Sequence, residues 1–425
     1  MQTTQLQSTE SYEVKDLSLA EQGKLNIELA ERNMGSLLKI KQRFEQEKPL
    51  QGIRVGMALH VTKETAVLVR TLIAGGADVA ITGCNPLSTQ DDVAAALAKE
   101  GVKVWAYKGE TNEDYYRYLT NIVKFKPHIT IDDGCDLVNE IHTKHPELIP
   151  DIIAGCEETT TGIIRLNAME KDGALKYPVI AVNDNKTKHL LDNYYGTGQS
   201  TIDGIIRATN LLIAGKTVVV VGYGSCGKGT ALRAKGLGAK VVVTEVDNFC
   251  ALQAAYDGFK VMPMMEAAPL GDLFITVTRN KHVIDTHHMQ IMKSGAIVAN
   301  SGHFDSEINL AGLQQLATAK RTIRPFMEEY TINNKHIYVL AEGRLVNLSV
   351  AEGHPSEVMA TSFCGQSLAV EYAVKNKANL PLKVITLPEE IDDHIAALQL
   401  QAMTIKIDVL TEEQKRYLAS WQEGT

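Results

Sequence analysis

Four short apolar runs in the first half of the chain each end in side chains that can move protons. Ala58-Leu59 gives way to His60, then Thr62 and Glu64, and Ile129-Thr-Ile131 gives way to Asp132, Asp133 and Gly134. Ile153-Ala-Gly-Cys156 ends in Glu157, Glu158 and the run Thr159, Thr160, Thr161. Val179-Ile-Ala-Val182 ends in Asn183 and Asp184, with Lys188, Asp192 and Asn193 just beyond. An acid or amide after a strand is often only a turn former or a helix cap. Four such ends on one rim are harder to assign to capping alone, and they point to a shared pocket. Lys188 and Asp192 are one helical turn apart, so their side chains can meet. Burial and a neighbouring cation are expected to lower the pKa of Lys188 towards that of a useful base.

A second kind of site follows. Four valines run from Thr217 into Gly222, Tyr223, Gly224, Ser225, Cys226 and Gly227, a G-x-G-x-x-G. A helix is expected from Thr230, then a strand closing on Glu245, roughly 20 residues past the turn. Strand, glycine turn, helix, strand and acid together form a dinucleotide fingerprint, with the pyrophosphate on the helix N-terminus. A carboxylate at Glu245 accepts from a ribose 2′-hydroxyl and repels a 2′-phosphate, so the expected cofactor is NAD rather than NADP. Gly222 to Lys228 also fits G-x-x-x-x-G-K, but Gly229 stands where a P-loop needs Ser or Thr, and that reading is rejected.

Later in the chain come Asn300-Ser301-Gly302-His303-Phe304, Asn347 and Gly353-His354-Pro355. His303 is placed on the nicotinamide-facing rim, and His354 at the start of a long helix. His142, His145, His287 and His288 are read as solvated helix faces. The six cysteines include no C-x-x-C pair, so no metal site or disulfide framework is expected. NAD beside a Lys–Asp pair fits oxidation of an alcohol, the base taking the hydroxyl proton as hydride leaves. His60 and the further acids suggest a second proton transfer that a plain dehydrogenase does not need.

The elements that must hold these groups alternate. Strands are expected at 54–59, 78–82, 102–107, 128–131, 152–155 and 178–182, with helices at 63–74, 90–99, 113–125, 138–144 and 161–170. That pattern implies a parallel sheet covered on both faces. Residues 1–20 read as a loose lead-in, 25–47 as one amphipathic helix, and 201–213 as a linking helix. The cofactor sheet adds strands at 273–277 and 296–299 and a hairpin over 330–346 turning at Asn333-Asn334. A helix at 356–375 and segments at 391–401 and 412–421 complete the chain. The expected fold is α/β: two doubly wound, Rossmann-like parallel-sheet domains joined by a hinge, plus a small C-terminal segment. The substrate domain is 1–198 completed by 354–385, the NAD domain 199–353, and the oligomerisation segment 386–425.

Of 425 residues, 43 are basic and 51 acidic, a net charge of −8 that argues against nucleic acid or an anionic membrane as main partner. No apolar run approaches the ~20 residues of a spanning helix, and no leader precedes the fold, so a cytoplasmic protein is expected.

The blocks His60-Val-Thr-Lys-Glu64, Asn85-Pro-Leu-Ser-Thr-Gln-Asp91, Asp132-Asp-Gly134, Glu157-Glu-Thr-Thr-Thr-Gly162, Asn183 to Asn193, the glycine fingerprint, Asn300 to Asp305, and Ala341 to Ser356 resemble, in order, the S-adenosyl-L-homocysteine hydrolase family. The resemblance implies reversible hydrolysis of S-adenosylhomocysteine to adenosine and homocysteine, clearing a by-product inhibitor of methyltransferases. A tightly bound NAD would oxidise the ribose 3′-hydroxyl, elimination and water addition would follow, and the ketone would be reduced back. By the same resemblance Lys188 and Asp192 serve the 3′-hydroxyl, and Asp133 with His60 serves the C4′ proton and the leaving sulfur or water. Glu158 holds the ribose hydroxyls, and Thr62, Glu64, His303 and His354 line the adenosine pocket. NAD is assigned to Thr159, Thr160, Thr161, Asn193, Gly222 to Gly227, Glu245, Asn280, Ser301, Gly302, His303 and Asn347. A homotetramer is implied. Ser225 replaces an Asp and Thr197 a Cys of many relatives, and the end Trp421-Gln-Glu-Gly-Thr425 lacks their basic, tyrosine-containing tail. Two rivals stand beside this reading: an NAD-dependent dehydrogenase that releases its reduced cofactor, and a silent NAD-binding regulator.

Overall fold

A strand built from Thr217–Val221 has no polar face, so it needs cover on both sides, and Val218 to Val221 are all buried. The same demand recurs along the chain and yields two sheets in the computed structural model, which describes residues 6–422. The first runs, edge to edge, Gln7–Ser8, Tyr12–Val14, Lys103–Trp105, Asp78–Thr82, Arg54–Ala58, Ile129–Asp132, Ala154–Glu157, Val179–Ala181 and Val384–Ile385. Only the outermost pair, Gln7–Ser8 with Tyr12–Val14, is antiparallel. The second sheet runs Lys260–Val261, Lys240–Thr244, Thr217–Val221, Leu273–Thr276, Ala296–Asn300, Lys335–Leu340, Met327–Ile332 and Ala319–Arg324. Its first six strands are mutually parallel, and its last two pairings are antiparallel. The fold is α/β with two parallel-dominated sheets, as expected.

Several expectations need correction. Part of the lead-in is structure, because Tyr12–Val14 pairs with Lys103–Trp105; residues 1–5 lie outside the described residues. The helix expected over 25–47 is two, Ala20–Asn33 and Gly35–Glu47, broken at Met34, whose φ of −111° and ψ of 44° are not helical. The linking helix lies earlier, Thr197–Thr209, and stops where Asn210 turns left-handed at φ 55°. The hairpin turns at Asn333-Asn334 with φ of 48° and 60°, but it is followed outward by an unexpected strand, Ala319–Arg324. His142 and His288 are not solvated: the His142 ring packs 4.7 Å from the Tyr177 ring, and buried His288 caps its own helix with Asp285.

The chain passes between the sheets twice. Thr197–Thr209 carries it to the second sheet, and after Gly353 it returns as the long helix Ser356–Asn376, which packs on Gly35–Glu47 and Lys63–Ala74 of the first. Glu352 latches the return, with its carboxylate 2.8 Å from Lys63 Nζ and 3.2 Å from Arg207 of the crossing helix. The carboxyl ends of both sets of parallel strands therefore meet across one space, which is where open α/β sheets bind ligands.

Candidate active site

That space is a cavity of about 220 Å³. From the first sheet, His60, Thr62 and Glu64 enter after Arg54–Ala58, Asp133 after Ile129–Asp132, and Glu158 with Thr159, Thr160 and Thr161 after Ala154–Glu157. Thr62 also caps Lys63–Ala74, accepting from Thr65 N–H at 3.4 Å, so the capping role and the lining role coexist. Thr159 sits at the N-cap of Thr160–Lys171 without a side-chain cap bond.

Lys188, Asp192 and Asn193 project from Thr187–Gly196, a π-helical segment. Such wide turns are uncommon and frequent at functional sites. Lys188 Nζ donates to Asp192, lies 3.2 Å from Glu158 Oε1 and donates to Asn193 Oδ1 at 3.1 Å. The other oxygen of Asp192 meets His354 Nδ1. Ser362 and Gln366, on the long helix, donate to the two oxygens of Glu158, each at 2.5 Å.

These contacts set the charges. Burial alone would depress the Lys188 ammonium, but Asp192 and Glu158 outweigh it and hold its pKa above the ordinary lysine range. This reverses the sequence-based expectation of a lowered value, because the neighbours that arrive through tertiary structure are carboxylates rather than a cation. Burial raises Asp192, yet Lys188 and His354 override it and keep it below the usual carboxylate range. Glu158 is raised, chiefly by burial against the opposing pull of Lys188.

Opposite this cluster, Asp133 stands between two imidazoles. His60 Nε2 is 3.5 Å from Asp133 Oδ2, and His303 Nδ1, from the second sheet, is 3.4 Å from Oδ1. His60 Nδ1 is 2.7 Å from Ser88 Oγ. Burial, only partly offset by Asp133, lowers His60 to about 4, so its ring is neutral near pH 7. Gly134 makes the approach of His303 possible: its φ is 110°, and a Cβ there would fall 2.3 Å from His303 Nε2.

On the far side the cavity meets the glycine turn. Gly224, Ser225 and Cys226 line it, with Ser301, Gly302, His303 and Asn347. A Cβ on Gly224 would touch nothing nearer than 3.9 Å, whereas one on Gly227 would fall 2.1 Å from the Gly222 carbonyl oxygen. Gly224 thus leaves open room before a helix N-terminus, and Gly227 lets that helix press on the strand. Asn347 Oδ1 is buried without a partner among the described residues. Open room, free helix amides and an orphaned amide oxygen fit a dinucleotide.

Gly222, Tyr223 and Gly227 shape the turn and do not line the cavity; the buried Tyr223 hydroxyl donates to Asp257 at 2.8 Å. Glu245 accepts from the Tyr223 and Val246 amides, both at 2.6 Å, tying the turn to the end of its strand. Asn280 is exposed and is not among the residues lining the cavity, whereas its neighbour Arg279 is. Arg279 follows Leu273–Thr276 and Val277, so the strand-end signal that found His60 and Asp133 was available for it. Leu345, Met359 and Phe363 also line the cavity, and nothing in the sequence separates them from core. Cys84 brings its sulfur within 4.8 Å of polar atoms of His60 and Asp133.

Residues 11–154 match the family model for S-adenosyl-L-homocysteine hydrolase, and 193–353 match its NAD binding domain. The adenosylhomocysteinase of Saccharolobus solfataricus is 58% identical over 98% of this chain and all of its own length. The chain belongs to the S-adenosyl-L-homocysteine hydrolase family. Another member, the S-inosyl-L-homocysteine hydrolase of Methanocaldococcus jannaschii, is 59% identical over 97% of this chain and all of its own. The adenosylhomocysteinase of Aquifex aeolicus is 57% identical over 97% and 100%. Membership in this family makes NAD the cofactor of the glycine turn.

Proposed function

We propose that the chain hydrolyses S-adenosyl-L-homocysteine reversibly to adenosine and L-homocysteine. One observation carries the reading: two separate acid–base groups, Lys188–Asp192–Glu158 and His60–Asp133–His303, border a single cavity that also meets the glycine turn. A dehydrogenase needs one such group. A thioether hydrolase that works through a transient ketone needs two, because a second proton must leave carbon before sulfur can depart.

Bound NAD supplies a hydride acceptor at the ribose 3′-carbon and returns the hydride at the end of each turnover. Thr159 to Thr161, Asn193, Gly224 to Cys226, Ser301 to His303 and Asn347 would hold it, with Gly222, Tyr223, Gly227 and Glu245 fixing the turn. Lys188 takes the 3′-hydroxyl proton as it passes one of its own to the carboxylates it touches, Asp192 and Glu158. Lys188 rests as an ammonium and is therefore also the donor for the returning direction. Glu158, locked by Ser362 and Gln366, accepts from the ribose hydroxyls. Asp133 with neutral His60 removes the C4′ proton, made acidic by the adjacent ketone, and protonates the departing sulfur; His303 steadies Asp133. Glu64 Oε1 is occupied by Ser356, 2.7 Å away, and Oε2 has no donor among the described residues. It is assigned to an N–H of the purine, with Thr62 and His354 beside it.

The test is direct. Purified protein with adenosine and excess homocysteine should form S-adenosylhomocysteine without added reductant. NADH accumulating in step with product would indicate the dehydrogenase, and absence of turnover would indicate the regulator. The same assay with inosine tells the two relatives' substrates apart. We further propose a cytoplasmic homotetramer. Exposed Ile407, Val409, Leu418 and Trp421 of segment 386–425 support burial between subunits, and sedimentation velocity decides the assembly.

A further inference from the structure

Beneath Asp133 lie two carboxyl groups that the proposed chemistry does not use. Asp132 and Glu157 are directly paired across neighbouring parallel strands, so both side chains point to the same face. They are 1% and 0% exposed. Three of their four oxygens accept backbone N–H groups: Asp132 Oδ1 from Asp133 at 3.0 Å, Oδ2 from Val138 at 2.9 Å, and Glu157 Oε1 from Gly134 at 2.9 Å and Thr159 at 3.0 Å. The fourth, Glu157 Oε2, is buried and receives nothing from the described residues. A Cβ on Gly162 would fall 2.1 Å from the Glu157 carboxyl carbon, so the helix above packs directly on the carboxyl.

Among the described residues no basic side chain bonds either carboxyl. Arg165 opposes the rise of Asp132, but it bonds Asp136 at 2.6 Å and the Gly134 carbonyl. The remaining titratable neighbours are Asp133 above, Asp136 on the following helix, Cys84 and Cys135 beside the strand end, Cys156 within the strand and Tyr177 below. All are acids or neutral. Two adjacent carboxylates in a dry interior cannot both ionise.

We propose that Asp132 and Glu157 share one proton, carried on Glu157 Oε2, and that this pair is the positioning device for the Asp133–Gly134 turn. The amides it grips belong to Asp133, to Gly134 where His303 docks, and to Thr159 at the cofactor side. One half-neutral pair thus registers the proton-transfer group against the dinucleotide site without presenting it a second buried charge. Burial pushes Glu157 well above the carboxylate range, with Asp132 adding to it, and burial pushes Asp132 up to about 7. Both shifts are upward, so the folded state binds more protons than the unfolded chain, and stability falls as pH rises from the ordinary carboxylate range through about 7.

The catalytic side of this inference rests on the proposed function; the proton itself does not. The infrared spectrum of the holoenzyme at neutral pH should contain the carbonyl stretch of a buried protonated acid that Glu157→Gln lacks. The Gln amide is neutral and keeps an oxygen to accept from Gly134 and Thr159, so Glu157→Gln should exceed Glu157→Ala in kcat by about thirtyfold, with KM within about threefold. Its activity should also persist further into alkaline pH than wild type. No band in the wild-type minus Glu157→Gln difference, or equal losses in the two variants, would overturn the proposal. If Glu157→Ala does not fold, the infrared difference and the alkaline limb of Glu157→Gln decide. A band present in protein that turns over neither adenosine nor inosine would instead sink the assigned function and leave the shared proton standing.

Discussion

Asp192 holds Lys188 with one carboxylate oxygen and His354 with the other, joining the π-helical segment to the point where the chain returns from the second sheet. The acid is wholly buried, so it depends on these two contacts for compensation. Asp192→Asn keeps the shape and removes the charge. We expect kcat to fall by about 10²–10⁴-fold and stability to drop by about 3 kcal/mol, the usual cost of unpairing a buried ion. Steady-state kinetics and a denaturant melt check both.

Lys188→Met tests the opposite partner. Met fills similar volume but leaves Asp192 and Glu158 facing each other without the ammonium. NAD should remain bound, because the contacts at Gly224 to Cys226 and Asn347 are untouched, while turnover falls by about 10²-fold or more. NAD released on acid denaturation, counted per chain, separates a chemical defect from a cofactor defect. Activity close to wild type would remove Lys188 from the chemistry.

The low pKa of His60 gives a pH signature. It lies at about 4 against an ordinary value near 6.5, so between these pH values the unfolded chain takes up a proton that the folded protein refuses. The stability that His60 supports is complete above about 6.5 and is lost as pH falls towards 4. Wild type should lose roughly 2–3 kcal/mol more than His60→Gln over that window. Denaturant melts at several pH values measure the difference, and parallel curves for the two proteins would contradict the assignment.

Asp133→Asn should divide the reaction. Adenosine should still reduce the bound NAD, because Lys188 and Asp192 are intact, while product formation falls by about 10²–10⁴-fold. Absorbance of the bound cofactor after mixing, set beside product chromatography, reads both halves. A variant unable to reduce its NAD would show that the two proton-moving groups are not separate.

Gly134→Ala places a methyl where His303 Nε2 now sits and asks an L-residue to hold φ 110°. We expect a loss of about 2 kcal/mol and a larger proportional fall in kcat than in stability, since His303 is pushed off Asp133. Ser and Ala should behave alike.

The sequence carried much of this, and the reasons for the failures are physical. His60, Asp133, Glu158 and Lys188 were legible because each follows a run of strand-forming residues, and parallel sheets collect such ends on one rim. The meeting of Lys188 with Asp192 followed from spacing, but the π-helical path did not, since the extra residue per turn is set by packing against the long helix. The sign of the Lys188 shift was lost because Glu158, whose charge adds to that of Asp192, stands 30 positions away from it in the chain. Tyr12–Val14 escaped because a three-residue edge strand carries no alternation to read. Ala319–Arg324 is exposed along its whole length, so burial left no imprint on its residues.

The strand Val384–Ile385 pairs with Val179–Ala181, so the first sheet gains its last member only after the whole second sheet has been strung between the two. A ribosome emitting this chain therefore releases a nested product: the inner, glycine-turn unit can finish while the outer one still waits for its closing piece. Newly made chains must spend that interval with an unsealed edge, and truncations short of residue 385 should be far more prone to aggregate than their lost length alone would suggest.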